Sequence, residues 1–260
     1  MTMENGDIWG KNGEVVGTST SSTSEKVYPV AGNHRELTDR YHELSLKFKD
    51  GYSVIFRMYN EGMAYRFCGN LPGQDSLIVA DEEASFNLAD DPAVILPETT
   101  NFTAWELSNV LYEGISKIEE RKYGITPTLF TNKIQNVRVV VAESDLNNYP
   151  GMYLRKEGGK MKGYWAAYPK KIEMGSWGNF ITVVKERENY LARTAGNHAF
   201  PWRIAIVAKD DKELLTNEMI YLLAKPQQIK DTDWIRPGKA TWEWWHCACL
   251  LYTSPSPRDA

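Results

Sequence analysis

Regular alternation of apolar and polar residues in one long stretch strongly limits the folds open to this chain. In HELSLKFKDGYSVIFRMYNEGMAYRFCG, residues 42–69, apolar side chains recur at every second position on both sides of Asp50-Gly51. A period of two places these side chains on one face of a β-strand, and Asp-Gly between two such runs is typical of a tight hairpin turn. The stretch therefore predicts antiparallel hairpins with one buried face. The apolar positions are Leu44, Leu46, Phe48, Val54, Phe56, Met58, Tyr65 and Phe67.

Similar short runs of Val, Ile, Phe and Tyr recur along most of the chain. They lie in residues 82–98, 126–145, 178–194 and 202–210, with Gly, Pro and Asn between them. Many short strands separated by turn residues favour a sandwich of antiparallel sheets. The sequence therefore predicts a mainly β fold.

Two further segments give different predictions. GTSTSSTSEKVYPV, residues 17–30, has no apolar alternation, and its Ser and Thr content predicts an exposed loop. EGGKMKG, residues 157–163, lacks the spacing of a phosphate-binding loop and is interpreted as a hairpin turn.

The period changes near the end of the chain. In DDKELLTNEMIYLLAKP, residues 210–226, Leu and Met recur at helical spacing, acidic residues occupy the first turn and Pro226 follows the last apolar residue. These signals predict one helix of about three to four turns. The following residues predict a loop and then a new strand at Lys239 or Ala240, which would begin a second domain.

Charge and cysteine content argue against several classes of function. The 260 residues carry a net charge of −4, with Lys and Arg spread along the chain, so no nucleic-acid-binding face is expected. Three cysteines without metal-ligand spacing indicate neither a disulfide framework nor a zinc site. No secretion signal is recognisable, and no run of 18 apolar residues occurs, so no membrane span is expected.

Two carboxylates follow a strongly apolar strand in VRVVVAESDLNNYPGMYL, residues 137–154. Calcium prefers six to eight oxygen ligands, so Glu143 or Asp145 at the end of this strand could bind such an ion. Acidic residues after strands are also common on protein surfaces. The residues alone favour a solvated acidic turn.

The aromatic cluster TWEWWH, residues 241–246, also has two interpretations. An indole face of Trp242 or Trp244 could stack on a sugar ring while Glu243 accepts a hydrogen bond from a hydroxyl. The same side chains could equally be core, because a tryptophan buries on the order of 200 Å². The residues alone leave both interpretations open.

Four blocks of sequence together resemble glycoside hydrolase family 97. They are FRMYNEGMAYRF (56–67), AESDLNNYPGMYL (142–154), FPWRIAIVAKD (200–210) and DTDWIRPGKATWEWW (231–245), in the order and approximate spacing of that family. The family consists of bacterial, usually periplasmic, calcium-dependent α-glucosidases and α-galactosidases. The resemblance implies an antiparallel β-super-sandwich similar to galactose mutarotase, one connecting helix, and the first strand of a truncated (β/α)₈ barrel.

The resemblance also implies how the chain is divided. Residues 1–225 would form the sandwich with its connecting helix, and residues 226–248 a linker and the first barrel strand. CLLYTSPSPRD, residues 249–259, is identical to the translation of a sequencing adapter, so residues 249–260 are expected to derive from library DNA.

Residue by residue, Glu143 matches the glutamate that the family's sandwich provides to the active-site calcium. Trp242, Glu243 and Trp244 would enter the substrate-binding face of the barrel, and an α-linked oligosaccharide would be the substrate. The catalytic carboxylates of the family have no matching positions here, so the resemblance implies an inactive fragment of a periplasmic enzyme. The alternative is a freestanding, non-catalytic carbohydrate-binding sandwich.

Overall fold

A computed structural model describes residues 1–30, 32–103, 108–175, 182–236 and 238–239. These residues form mainly β structure, as the sequence predicts, with one 3₁₀ turn at Ile115–Lys117 and two short helices. The strands are β1 Thr2–Met3, β2 Val15–Val27, β3 Leu37–Phe48, β4 Tyr52–Tyr59, β5 Gly62–Gly69, β6 Leu77–Asp81, β7 Ser85–Phe86, β8 Ala93–Thr99, β9 Asn109–Tyr112, β10 Tyr123–Ile125, β11 Thr128–Asn132, β12 Val137–Ser144, β13 Tyr153–Glu157, β14 Lys160–Tyr164, β15 Pro169–Met174, β16 Thr182–Arg187, β17 Ala192–Thr194 and β18 Trp202–Ala208. The helices are α1 Asp211–Leu215 and α2 Met219–Leu223.

Most strands of the described chain join one large antiparallel sheet. Its order is β2-β3-β4-β5-β18-β12-β11-β8-β10-β13-β14-β7, with β9 paired to β8. β8 pairs with β11 through Ala93–Ile95 and with β10 through Glu98–Thr99. The sheet can therefore fold over itself at β8, because this strand belongs to both halves. Two smaller sheets have the orders β1-β6-β17 and β15-β16.

The main core lies between the two halves of this arrangement. Val54, Phe130 and Val141 come from the half that contains β4, β11 and β12, and they belong to one buried cluster with Leu154 and Met161 of β13 and β14. A second cluster occupies the other face of β18, where Trp202, Ile204 and Ile206 pack with Met219 and Leu223 of α2. The opposite face of β18 carries the buried Arg203 and the exposed Val207, because successive side chains of a strand point to opposite faces.

The predicted hairpins are present. β3 and β4 are joined across Asp50-Gly51, where Gly51 has φ 77°, and β13 and β14 are joined across Gly158-Gly159. The left-handed conformation at Gly51 is one that glycine adopts without steric cost.

The loop predicted for residues 17–30 is wrong. Val15–Val27 form β2, which pairs with β3 along its length. This strand cannot be predicted from apolar alternation, because its side chains are mostly exposed and it has no apolar face. β-branched threonines nevertheless suit a strand.

The predicted single helix is divided into α1 and α2. The Asp210 carboxylate caps α1 by accepting hydrogen bonds from the N–H groups of Lys212 and Glu213. The helical conformation is lost between Thr216 and Glu218, because Glu218 is buried and accepts a hydrogen bond from the Asn33 N–H at 2.7 Å. A tertiary contact therefore overrides the local helical pattern. The strand predicted from Lys239 or Ala240 lies outside the described residues.

Candidate functional site

Glu143 lies near the end of β12, directly opposite Arg203 of β18. Its Oε2 accepts a hydrogen bond from Arg203 Nη1 at 2.7 Å, and its Oε1 accepts one from the Met152 N–H at 2.7 Å. The side chain is 8% exposed. The carboxylate is therefore fixed at both oxygens, although each oxygen retains a further lone pair.

Arg203 is shared between Glu143 and a second carboxylate, Glu82. Its Nε donates to Glu82 Oε1 at 2.8 Å and its Nη2 donates to Glu82 Oε2 at 2.6 Å. This two-point geometry is the strongest form of arginine–carboxylate pairing. Burial alone would lower the pKa of Arg203, but the Glu82 and Glu143 carboxylates outweigh burial and raise it.

The three side chains carry one negative charge in excess. Glu82 and Glu143 face a single guanidinium, and all three side chains are almost fully buried. Burial raises the pKa of Glu143, although Arg203 and the Met152 N–H act in the opposite direction. A proton or a cation beside Glu143 would balance the excess charge.

Asp145 joins a different network. Its Oδ2 accepts a hydrogen bond from Arg66 Nη1 at 3.1 Å, and the guanidinium of Arg66 lies 4.3 Å from the Trp202 ring centroid. Asp145 has φ 61°, which turns the chain out of β12. The two carboxylates at the end of this strand therefore do not converge on one site.

A cleft of about 650 Å³ opens beside Glu143. Gly151 lines the cleft, and a β-carbon placed on Gly151 would be 3.4 Å from Glu143 Oε1. Glu143 itself does not line the cleft but lies next to one of its lining residues. The cleft is lined by Phe102, Leu146, Asn148, Tyr149, Pro150, Gly151, Tyr153, Ala166, Ala167, Tyr168, Pro169, Arg187, Leu191 and Arg193.

A calcium ion would need more ligands than the described part of the chain supplies. No group of three His, Cys, Asp or Glu side chains in that part is placed to hold a metal ion. Glu143 itself fits the role of a single ligand, because its oxygens have free lone pairs and its surroundings have an excess negative charge. The substrate-binding candidates Trp242, Glu243 and Trp244 lie outside the described residues.

Sequence reasoning missed Arg203 and Glu82. They are 121 positions apart, so their pairing cannot be read from local patterns. A usable signal exists in WRIAIVA, residues 202–208, because an arginine within an otherwise apolar strand must find a carboxylate if it is buried.

Comparison with known proteins gives a consistent result. Residues 1–226 match the family described as Glycosyl-hydrolase 97 N-terminal. The chain is 34% identical over 258 residues to a retaining alpha-galactosidase from Bacteroides thetaiotaomicron, covering 95% of this chain and 38% of that protein. It is 26% identical to a probable retaining alpha-galactosidase from Streptomyces bingchenggensis, covering 85% of this chain and 31% of that protein.

Solved structures agree at the level of the fold. A glycoside hydrolase family 97 enzyme from a Pseudoalteromonas species, in complex with acarbose, has a TM-score of 0.69 at 18% identity, covering 87% of this chain and 32% of the enzyme. A beta-arabinopyranosidase has a TM-score of 0.60 at 20% identity, covering 80% and 34%. The chain thus spans about a third of the length of each of these four proteins.

Proposed function

We propose that this chain, which belongs to the glycosyl-hydrolase 97 N-terminal family, is the N-terminal domain of a calcium-dependent α-glycosidase that hydrolyses α-linked oligosaccharides. The observation that carries the proposal is family membership over residues 1–226, joined to a buried glutamate beside an open cleft. Both curated relatives bear the name of retaining alpha-galactosidases, which favours an α-galactoside over an α-glucoside as the substrate.

Within this proposal, Glu143 presents one carboxylate to the calcium ion at the boundary between the sandwich and the rest of the enzyme. Arg203 and the Met152 N–H hold the carboxylate in one orientation. The excess negative charge of Glu82 and Glu143 attracts a cation to this end of the sheet. Calcium bound there would orient sugar hydroxyls and favour the ionised form of nearby acids.

The catalytic steps belong to residues beyond this chain. Glycoside hydrolysis generally needs two carboxylates on either side of the scissile bond, and the family's pair has no matching positions here. We propose that residues 1–225 form the sandwich domain, that residues 226–248 lead into the barrel, and that Trp242, Glu243 and Trp244 contact the sugar. An indole face stacks on a pyranose ring, while a carboxylate accepts hydroxyl hydrogen bonds.

We propose that the complete enzyme is located in the periplasm, as the family resemblance implies. None of the helices in the described parts of the chain is long and apolar enough to span a membrane.

The test compares this chain with the complete gene product from its source DNA. The complete protein is expected to hydrolyse aryl α-galactosides in a calcium-dependent manner, with aryl α-glucosides as the alternative substrate. The chain of residues 1–260 is expected to be inactive under the same conditions. Turnover by the chain alone, or a complete gene product without a barrel, would contradict the proposal, and the second result would favour a carbohydrate-binding sandwich.

Glu143 is tested separately in the complete protein. Glu143→Gln keeps the shape of the side chain and removes the charge, and its single amide oxygen can accept only one of the two hydrogen bonds from Arg203 and the Met152 N–H. Calcium affinity measured by calorimetry is expected to fall by at least about tenfold, because a carboxylate ligand is lost. Asp145→Asn is the matched control, since Asp145 bonds to Arg66 and does not join the Glu143 cluster. Equal effects of both variants would contradict the assignment.

A further inference from the structure

The large sheet ends in two edge strands that differ in their protection against pairing with another chain. At one end, β7 is two residues long. At the other end, β2 is 13 residues long. Exposed edges are usually blocked by short strands, charged side chains, proline or bulges, because unpaired backbone groups can bind a strand from another molecule. The edge at β7 is thus protected because the strand is short, whereas the longer β2 needs another form of protection.

β2 has almost none of these protections. Residues 15–24 contain no charged residue and no proline, and the pairing with β3 is irregular only between Val15 and Gly17. β3 pairs with one side of β2, and no other described strand pairs with its second side. The outward N–H and C=O groups of this stretch therefore have no strand partner among the described residues.

Other edge strands of the described chain are protected. β1 and β17 have two and three residues. The hairpin of β15 and β16 carries Lys170, Lys171 and Lys185. The long uncharged edge is thus specific to β2.

We propose that β2 pairs antiparallel with β2 of a second copy of this chain, about a two-fold axis at Ser21, so that the two large sheets become continuous. Two-fold pairing of identical strands requires a segment that is complementary to its own reverse. The stretch TSTSSTS, residues 18–24, meets this requirement, because a hydroxyl side chain opposes a hydroxyl side chain at every position.

This register also avoids electrostatic conflict. Glu25 would oppose Gly17, and Lys26 would oppose Val16, so no two like charges face each other. Cross-strand pairs of Thr and Ser contribute favourably to antiparallel sheets. The uncharged, self-complementary edge thus fits a second copy better than a partner with a charged strand.

A groove of mixed character beside β2 enlarges the proposed contact. It has a volume of about 730 Å³, and the apolar residues Leu44, Phe56 and Met58 line it together with polar residues that include His42 and Glu43. Because Thr20 and Ser22 of the edge strand also line it, the grooves of two paired copies would lie side by side across the axis. This matters because a stable interface buries about 1,600 Å² in total, which needs more surface than a single strand edge.

The first test measures the assembly of the chain of residues 1–260 by sedimentation velocity over a range of concentrations. The wild type is expected to form a dimer. Ser21→Lys places two ammonium groups opposite each other at the axis and is expected to weaken the dimer roughly tenfold. Ser76→Lys, at an exposed serine outside the proposed contact, is the control and is expected to leave the dimer unchanged. A monomer at every concentration, or an assembly that Ser21→Lys does not weaken, would overturn the proposal.

A second test fixes the register. Directly opposed residues of antiparallel strands have Cα atoms about 4.5 to 5.5 Å apart, which is within the range that a disulfide spans. In a chain carrying Cys247→Ser and Cys249→Ser, Ser21→Cys is expected to give a disulfide-linked dimer under mild oxidation, and Ser76→Cys is expected to stay monomeric on a denaturing gel. Equal cross-linking of both variants, or none with Ser21→Cys, would contradict pairing at Ser21.

Discussion

Two arginine–carboxylate networks lie on opposite faces of the central strands, and they differ in charge balance. Around Arg203, two carboxylates share one guanidinium in an almost fully buried setting. Around Trp202, Arg57 pairs with Glu43 and Arg66 pairs with Asp145, so each charge has its own partner. The balanced network has the features of a structural element. The unbalanced one contains the proposed calcium ligand Glu143, and functional residues often reduce stability.

The largest expected effect is at the centre of the unbalanced network. Arg203→Met would leave Glu82 and Glu143 buried without a cation, and removing one partner of a buried ion pair costs about 3 to 5 kcal/mol. The free energy of unfolding, measured by urea denaturation, is expected to fall by that amount. A loss below about 1 kcal/mol would mean that Arg203 is not the main stabilising partner of these carboxylates.

Breaking the balanced network is expected to lower the free energy of unfolding by less than Arg203→Met does. Asp145→Asn removes the charge that Arg66 faces, and the Asp145 side chain is only 2% exposed. The expected loss is about 1.5 to 3 kcal/mol, as for a hydrogen bond to a charged group. Glu43→Gln at the more exposed pair with Arg57 is expected to cost less than about 1 kcal/mol. The reverse order in urea denaturation would contradict the importance of burial in this comparison.

The difference between the two networks is expected to be clearest when the stability effects of Glu143→Gln and Asp145→Asn are compared. Glu143→Gln leaves Arg203 paired one-to-one with Glu82, but the glutamine NH2 cannot accept a hydrogen bond, so one of the two bonds from Arg203 and the Met152 N–H is lost. The improved charge balance offsets the lost hydrogen bond of about 1 kcal/mol, so the free energy of unfolding at pH 7 is expected to change by less than about 1 kcal/mol. Asp145→Asn, the equivalent change in the other network, is expected to destabilise the protein. A comparable loss of stability in both variants would indicate that Glu143 has a purely structural role.

The difference in stability between wild type and Glu143→Gln is expected to depend on pH. Burial raises the pKa of Glu143 above its ordinary value of 4.5. A carboxyl group with a raised folded-state pKa contributes stability below its unfolded-state pKa, and this contribution is lost as the pH rises through the folded-state pKa. The stability of wild type relative to Glu143→Gln is therefore expected to fall as the pH rises above 4.5. Chemical denaturation at a series of pH values measures this difference, and a rise would contradict it.

The smallest expected effect is that of calcium on this chain alone. One carboxylate cannot fill a shell of six to eight oxygen ligands, so millimolar calcium is expected to leave the melting temperature unchanged. A micromolar site detected by calorimetry would show that the chain holds the ion without further residues.

The parts of the fold that follow local rules could be predicted from the sequence. Alternation around Asp50-Gly51 predicts the β3–β4 hairpin, which is present, because a buried face imposes a period of two. β2 was missed because both of its faces are largely exposed. The break between α1 and α2 was missed because it depends on Glu218 and Asn33, which lie 185 positions apart.

The candidate site likewise contains residues that the sequence could identify and residues that it could not. Glu143 was selected by the family resemblance, because the local pattern alone favours a solvated acidic turn. Its partners Arg203 and Glu82 are brought together only by the pairing of β12 with β18 and by the packing of the two layers. The assignment of Glu143 as a calcium ligand stays a prediction, whereas its hydrogen-bond partners could not be predicted from the sequence.

The position of β18 has a consequence for biosynthesis. This strand is the last one among the described residues but lies between β5 and β12 in the sheet. Until residue 208 has left the ribosome, β5 and β12 lack the neighbour that joins them, and their edges stay open. Such non-local pairing slows folding and leaves partly formed sheets exposed to aggregation. The open edges of β5 and β12 therefore persist until nearly all of the described strands have been synthesised.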